Sequence, residues 1–139
     1  MPVMREDGAR AYQQQLDAAL SPGGHESRLD AVVLGMGPDG HTASLFPHSP
    51  ALDERVRGVV VNHGDTVTPP RPRMTMTYPT LNKARLIALL VTGASKRPAL
   101  TALAAGTADV HDLPVAGLAP RPDSEMIWYL DQAALPQTP

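Results

Sequence analysis

Gly35-Met-Gly37-Pro-Asp39-Gly40-His41 is the segment whose residue types and spacing point most directly to chemistry. An imidazole titrates nearer neutral pH than any other ordinary side chain, so it can take a proton from water and hand it on. A carboxylate two residues away, Asp39, can orient or polarise that ring. Glycines at 35, 37 and 40 let the backbone approach a ligand closely and turn its N–H groups inward. The loop predicts proton transfer by His41, assisted by Asp39, with Gly37 and Gly40 against the substrate.

Other readings of this loop compete. Gly35-x-Gly37-x-x-Gly40 matches the dinucleotide fingerprint and follows an apolar run. That fingerprint needs a long helix after its third glycine, so that the diphosphate meets a helix N-terminus. Pro47 arrives too soon for one, and Asp39 would set a negative charge where a diphosphate must sit. A plain hairpin turn at Asp39-Gly40 should be followed by alternating apolar and polar residues. His41-Thr-Ala-Ser-Leu-Phe-Pro47 does not alternate. A lone loop histidine is often structural, but one in a glycine-rich loop beyond a buried strand is a fair catalytic candidate.

Lys96 and Arg97 fall in the first turn of a predicted helix, where the macrodipole disfavours cations. An anion lying between them and the helix N-terminus would reverse that preference. Lys96 is thus a candidate anion ligand, whereas Arg97 reads better as a solvated charge. Arg73 could join the site or guard a strand edge. His25, His48, His63 and His111 have no metal-site spacing. Ser44 has no base pattern beside it.

The elements that must position these residues follow from apolar spacing. Residues 7–20 predict a helix with Tyr12, Leu16, Ala19 and Leu20 on one face, stopped by Ser21-Pro22-Gly23-Gly24. Leu29–Leu34 and Leu86–Val91 are short continuous apolar runs, the pattern of strands buried on both faces. Val56–Val61 and Met74–Thr77 are further strand candidates, Thr42–Leu45 a helical turn, and Met126–Leu130 the last strand, with Trp128 and Tyr129 as its core and face residues. A helix from about Ser95 to Ala105 should turn Leu100 and Leu103 inward and end at Gly106. The tail after Leu135 should fray. This alternation predicts a layered α/β domain with a mostly parallel sheet flanked by helices. Such sheets place ligands at strand carboxyl ends, where residues 35–41 and 92–96 both fall.

The bulk numbers narrow the partners. The 139 residues suit one domain, are 42% hydrophobic and 19% charged, and carry net charge −2 with five aromatic residues. Nothing resembles a basic, aromatic-studded nucleic-acid surface. The absence of cysteine removes disulfides, thiolate nucleophiles and cysteine-ligated zinc. No run approaches a membrane span or a signal peptide, so a cytoplasmic protein is expected.

Leu34-Gly-Met-Gly-Pro-Asp-Gly-His-Thr-Ala-Ser-Leu-Phe-Pro47 closely resembles the signature of the 6-phosphogluconolactonases. The likeness continues through Pro72-Arg-Met-Thr-Met-Thr77, Leu81-Asn82, Leu90-Val-Thr-Gly-Ala-Ser-Lys96 and Ile127-Trp-Tyr-Leu-Asp131. It implies hydrolysis of 6-phospho-D-glucono-1,5-lactone to 6-phosphogluconate in the oxidative pentose phosphate pathway, without metal or organic cofactor. It also implies a fold like that of glucosamine-6-phosphate deaminase and ribose-5-phosphate isomerase. His41 matches the family's proposed base, and Arg73 and Lys96 look like its phosphate ligands. The related deaminases carry an acid shortly after the histidine, where this chain has Phe46, and that favours a lactonase.

Lactonases also have an upstream half with a Ser-Gly-Gly-Ser/Thr-Pro phosphate loop and an Asp-Glu-Arg motif, neither of which precedes residue 29. Asp53-Glu54-Arg55 follows the histidine loop, so that role is not carried over to it. The resemblance therefore implies the C-terminal part of a lactonase-like domain with the N-terminal half absent. Two expectations follow: self-association through an uncovered sheet edge, and weak activity or a silent sugar-phosphate-binding fragment.

Overall fold

The computed structural model describes residues 6–21, 26–64 and 72–136. The expected stop at 22–24, His25, the prolines at 69–70 and the last three residues lie outside them. Its elements are helix α1 (Glu6–Leu20), strands β1 (Ala31–Gly35), β2 (Val59–Asn62) and β3 (Arg73–Met76), helix α2 (Tyr78–Leu81), strand β4 (Leu86–Val91), helix α3 (Arg97–Ala104) and strand β5 (Glu125–Leu130). Short 3-10 turns stand at Pro50–Asp53, Ala94–Lys96 and Pro114–Gly117.

β1, β4 and β5 form a parallel sheet in the order β1-β4-β5, with Val33 opposite Ala88 and Ala88 opposite Ile127. β2 and β3 make a separate antiparallel ribbon in which Val60 faces Thr75. The expected mostly parallel α/β architecture is present. One face of the parallel sheet carries Val32, Ile87, Leu89 and Val91 into the core, where Leu45, Leu52, Leu81, Leu100 and Val115 meet them. Each large aliphatic side chain buried there contributes about 1.5–3 kcal/mol.

The other face corrects the expectation of strands buried on both sides. β1 alternates between exposed and covered positions, and Val33 is 69% exposed. Leu90 and Tyr129, on the same side of their strands, are 52% and 55% exposed. An apolar run reports that both faces are fit for burial; it does not report whether both are covered.

Several boundaries also differ. α1 turns Ala9 inward, with Leu16 and Leu20 half-buried, while Tyr12 and Ala19 stay exposed. Its burying stripe is thus rotated towards β2 relative to the expected face. Val56 is exposed and β2 begins only at Val59, because the chain turns at Glu54. The Glu54 carboxylate accepts hydrogen bonds from the backbone N–H groups of Arg57 (2.9 Å) and Val56 (2.8 Å), and from the Arg57 guanidinium (2.7 Å). These bonds, the two backbone ones foremost, hold the Glu54 pKa down at about 2. Residues 42–45 form a bridge between Thr42 and Leu45 rather than a helical turn. The expected helix after β4 starts as a 3-10 turn, buries Leu100, half-buries Leu103, and ends before Gly106 at φ 68°.

Candidate active site

β1 delivers the chain to the glycine loop at its carboxyl end. There the Gly40 N–H donates to the Gly37 carbonyl (3.0 Å) and the Gly37 N–H donates to the His41 carbonyl (2.8 Å), closing a tight turn. Gly40 has φ 75°, and a β-carbon on it would run into Leu113. A side chain on Gly37 would occupy the space of the His41 imidazole and the Asp39 carboxylate. These two glycines are therefore required by conformation and by room. No helix follows the third glycine, so the dinucleotide geometry is missing.

His41 Nδ1 lies 2.6 Å from Asp39 Oδ1, and the same oxygen accepts the His41 backbone N–H at 3.2 Å. An ionised Asp39 accepts from Nδ1–H, which leaves Nε2 as the basic nitrogen. Phe46 is buried against the imidazole, with ring centroids 5.1 Å apart at 54°. Phe46 thus sets hydrocarbon against one side of the His41 ring.

The residues after His41 are fastened from several directions. Thr42 Oγ1 donates to the Gly35 carbonyl (2.9 Å), and the Val115 N–H donates to the Gly40 carbonyl (2.9 Å). The Ser44 N–H donates to Thr75 Oγ1 on β3 (3.1 Å). Asn62, fully buried on β2, donates to the Ser44 carbonyl (2.7 Å) and Ser49 Oγ (2.9 Å), and accepts the Ala51 N–H (3.3 Å). Ala43 sits at φ 50°, a left-handed conformation that costs a non-glycine residue about 1–2 kcal/mol. Sequence reasoning missed Asn62 and Thr75. A polar residue inside an apolar strand run was the available signal, since such a side chain must find partners when buried.

The second loop comes from the carboxyl end of β4. Gly93 has φ 94°, and its N–H donates to both Asp131 carboxylate oxygens (3.0 and 3.1 Å). Asp131, directly after β5, also accepts the Ala134 N–H (2.8 Å). This clasp fixes the turn that carries Lys96 at the start of α3. Arg97, the next residue, donates to the Ala133 carbonyl (2.7 Å) and serves the same clasp.

Lys96 and His41 share a cleft of about 430 Å³ with Gly35, Gly37 and Ala43. The structure thus brings together Asp39, His41, Gly37 and Lys96. Gly40 shapes the turn from behind. Arg73 begins β3 opposite Asn62 and does not line this cleft. A larger cavity, about 520 Å³ beside Arg55, Tyr78 and Arg121, lies near the start of β4 and holds no residue placed to act as a base. Its Tyr78 hydroxyl donates to the Pro114 carbonyl (2.5 Å), and burial raises its pKa. His48 pairs with Asp112 (3.2 Å) and His111 with Asp53 (3.4 Å), both away from the cleft.

Comparison with known proteins bears on this geometry. Residues 2–128 match the family model for glucosamine-6-phosphate isomerases/6-phosphogluconolactonase. A 6-phosphogluconolactonase from Synechocystis is 42% identical over 130 residues, covering 93% of this chain and 52% of that protein. The solved structure of 6-phosphogluconolactonase from Trypanosoma cruzi superposes with a TM-score of 0.75 at 31% identity, covering 92% of this chain and 50% of that one. A monomeric glucosamine-6-phosphate deaminase, at 24% identity and TM-score 0.70, shares the fold. The chain spans about half the length of the curated relatives it matches. With the histidine loop and the lysine turn both at the carboxyl ends of one parallel sheet, and the family model matched over residues 2–128, the chain belongs to the glucosamine-6-phosphate isomerase/6-phosphogluconolactonase family.

Proposed function

We propose that this chain carries the water-activating part of a lactonase site acting on 6-phospho-D-glucono-1,5-lactone. The observation that carries the reading is the His41–Asp39 contact of 2.6 Å inside the cleft shared with Lys96. His41 Nε2 takes a proton from water as the water oxygen bonds to the lactone carbonyl carbon. The ring C–O bond then breaks, the proton returns from His41 to the departing ring oxygen, and a carboxylic acid is released and ionises. Asp39 holds the ring in the required tautomer and stabilises the imidazolium between the two steps. Gly37 keeps the backbone close to the substrate, Gly40 shapes the turn behind it, and Lys96 meets the phosphate. Arg73 as a second phosphate ligand rests on the family resemblance alone. Phe46 supports hydrolysis over deamination, because hydrocarbon beside the base cannot move protons for ring opening. A water-soluble phosphorylated substrate also suits a cytoplasmic protein, and no described helix is long and apolar enough to cross a membrane.

The chain alone should hydrolyse the lactone far more slowly than its longer relatives. The decisive comparison fuses it to the half of the Synechocystis protein that it does not match, hereafter the joined enzyme. His41→Asn there should lower kcat about 10²–10⁴-fold. Full activity in that variant would overturn the assignment. Calorimetry with 6-phosphogluconate tests the second reading, a silent binding module: binding that Lys96→Ala abolishes, with no turnover in the joined enzyme, would favour it.

A further inference from the structure

The Tyr78 side chain is buried, and Gly117 lies so close to its ring that a β-carbon there would collide with it. Burial raises the phenol's pKa, so the hydroxyl keeps its proton and donates it to the Pro114 carbonyl, which can only accept. That carbonyl and the Val115 N–H belong to one peptide group. The Val115 N–H in turn donates to the Gly40 carbonyl (2.9 Å), and that peptide group carries the His41 N–H. The His41 N–H donates to Asp39 Oδ1 (3.2 Å), the same oxygen that meets His41 Nδ1 at 2.6 Å. Every donor along this line points one way, from a buried phenol through two peptide groups to the Asp39 carboxylate. Pro114, Val115 and Gly40 are all buried, which keeps water from competing for the links between them.

Hydrogen bonds that share peptide groups polarise one another: a carbonyl that accepts makes the N–H of its own group a stronger donor. The last link of this line ends on an anion and is charge-assisted as well. We propose that Tyr78 is a positioning residue for His41, acting through the Pro114–Val115 and Gly40–His41 peptide groups to hold Asp39 Oδ1 beside the imidazole. With that oxygen fixed, the neutral ring keeps its proton on Nδ1 and leaves Nε2 as the base. Tyr78 itself does not line the His41 cleft, so it acts only through this relay. Asn82 braces the same segment differently. Its amide donates to the Gly117 carbonyl (3.1 Å) and accepts the Ala119 N–H (2.9 Å), two bonds that fall beyond the Val115 link rather than within the relay. The pair of residues therefore separates a relay from plain support of residues 113–119. The use of Nε2 in lactone hydrolysis rests on the proposed function; the ring's tautomer does not.

Heteronuclear NMR of the chain itself, at about pH 8.5 where an ordinary imidazole is neutral, reads which nitrogen of His41 carries the proton. The unmodified chain should show mainly the Nδ1–H form. Tyr78→Phe should raise the share of the Nε2–H form about 3-fold or more, whereas Asn82→Ala should lower the urea midpoint and leave the tautomer ratio unchanged. In the joined enzyme Tyr78→Phe should lower kcat about 5-fold with KM unchanged, and this effect should vanish in an Asp39→Ala background, where the relay has no end. The proposal is overturned by equal tautomer shifts from Tyr78→Phe and Asn82→Ala, by none from Tyr78→Phe, or by a main Nε2–H form in the unmodified chain. A kcat loss of the same size in the Asp39→Ala background also overturns it. So does a Val115 or His41 amide that exchanges with solvent as fast as a free one in the unmodified chain, whatever the variants do. The expected tautomers with no turnover in the joined enzyme uphold Tyr78 and remove the lactonase reading; turnover with an unmoved tautomer does the reverse.

Discussion

The contact between Asp39 and His41 decides which imidazole nitrogen is available to water, so the two residues should fail differently. Asp39→Ala in the joined enzyme should lower kcat about 10²-fold with little change in KM, because the ring remains but its tautomer and orientation are no longer fixed. Steady-state kinetics checks this, and an unchanged kcat would remove Asp39 from the mechanism. Gly37→Ala should reduce kcat to a comparable extent without removing any polar group, since its methyl would claim the volume of the imidazole. Glu54 offers a residue-scale test unconnected with catalysis. Its folded pKa of about 2 lies below the ordinary 4.5, so its stabilisation is complete above pH 4.5 and fades as pH falls towards 2. Partial exposure screens part of that effect. Glu54→Gln should lower stability by about 1–2 kcal/mol at pH 7 and by almost nothing near pH 2, as read by urea titration at the two pH values.

Among the elements, the β2–β3 ribbon serves mainly as a buttress for the histidine loop. Asn62→Leu should lower unfolding stability by about 2–4 kcal/mol, because the Ser44 carbonyl and Ala51 N–H lose their buried partner. The loss should appear as a lower urea midpoint, and an unchanged midpoint would mean that the loop stands without the ribbon. Asp131→Ala should raise KM more than it lowers kcat, because the turn that fixes Lys96 loosens while His41 is untouched. The strands and the order of the loops were legible because each leaves a local mark: an apolar run, a glycine cluster, a short motif. The rotation of α1, the burial of Asn62 and the clasp by Asp131 were not, because each depends on a neighbour distant in sequence. The open face was misread for the same reason: Val33 and Leu90 carry the side chains of buried residues, and what covers them is a property of the surroundings.

For the whole molecule, the sheet is both the framework of the site and its exposed flank. The isolated chain should bind a hydrophobic fluorescent dye, and Leu90→Lys with Tyr129→Lys should reduce that signal and raise solubility; dye emission that ignores both changes would place the sticky surface elsewhere. Such substitutions should leave the core intact, since both side chains point away from it. The clasp at the end of β5 has a consequence of another kind. Asp131 grips the backbone of Gly93 from the far border of the sheet, so the lysine turn that follows β4 is tied to the end of β5. Without that carboxylate the Gly93 N–H would lose its acceptor, and the lysine turn would swing free of the neighbouring strand as one piece.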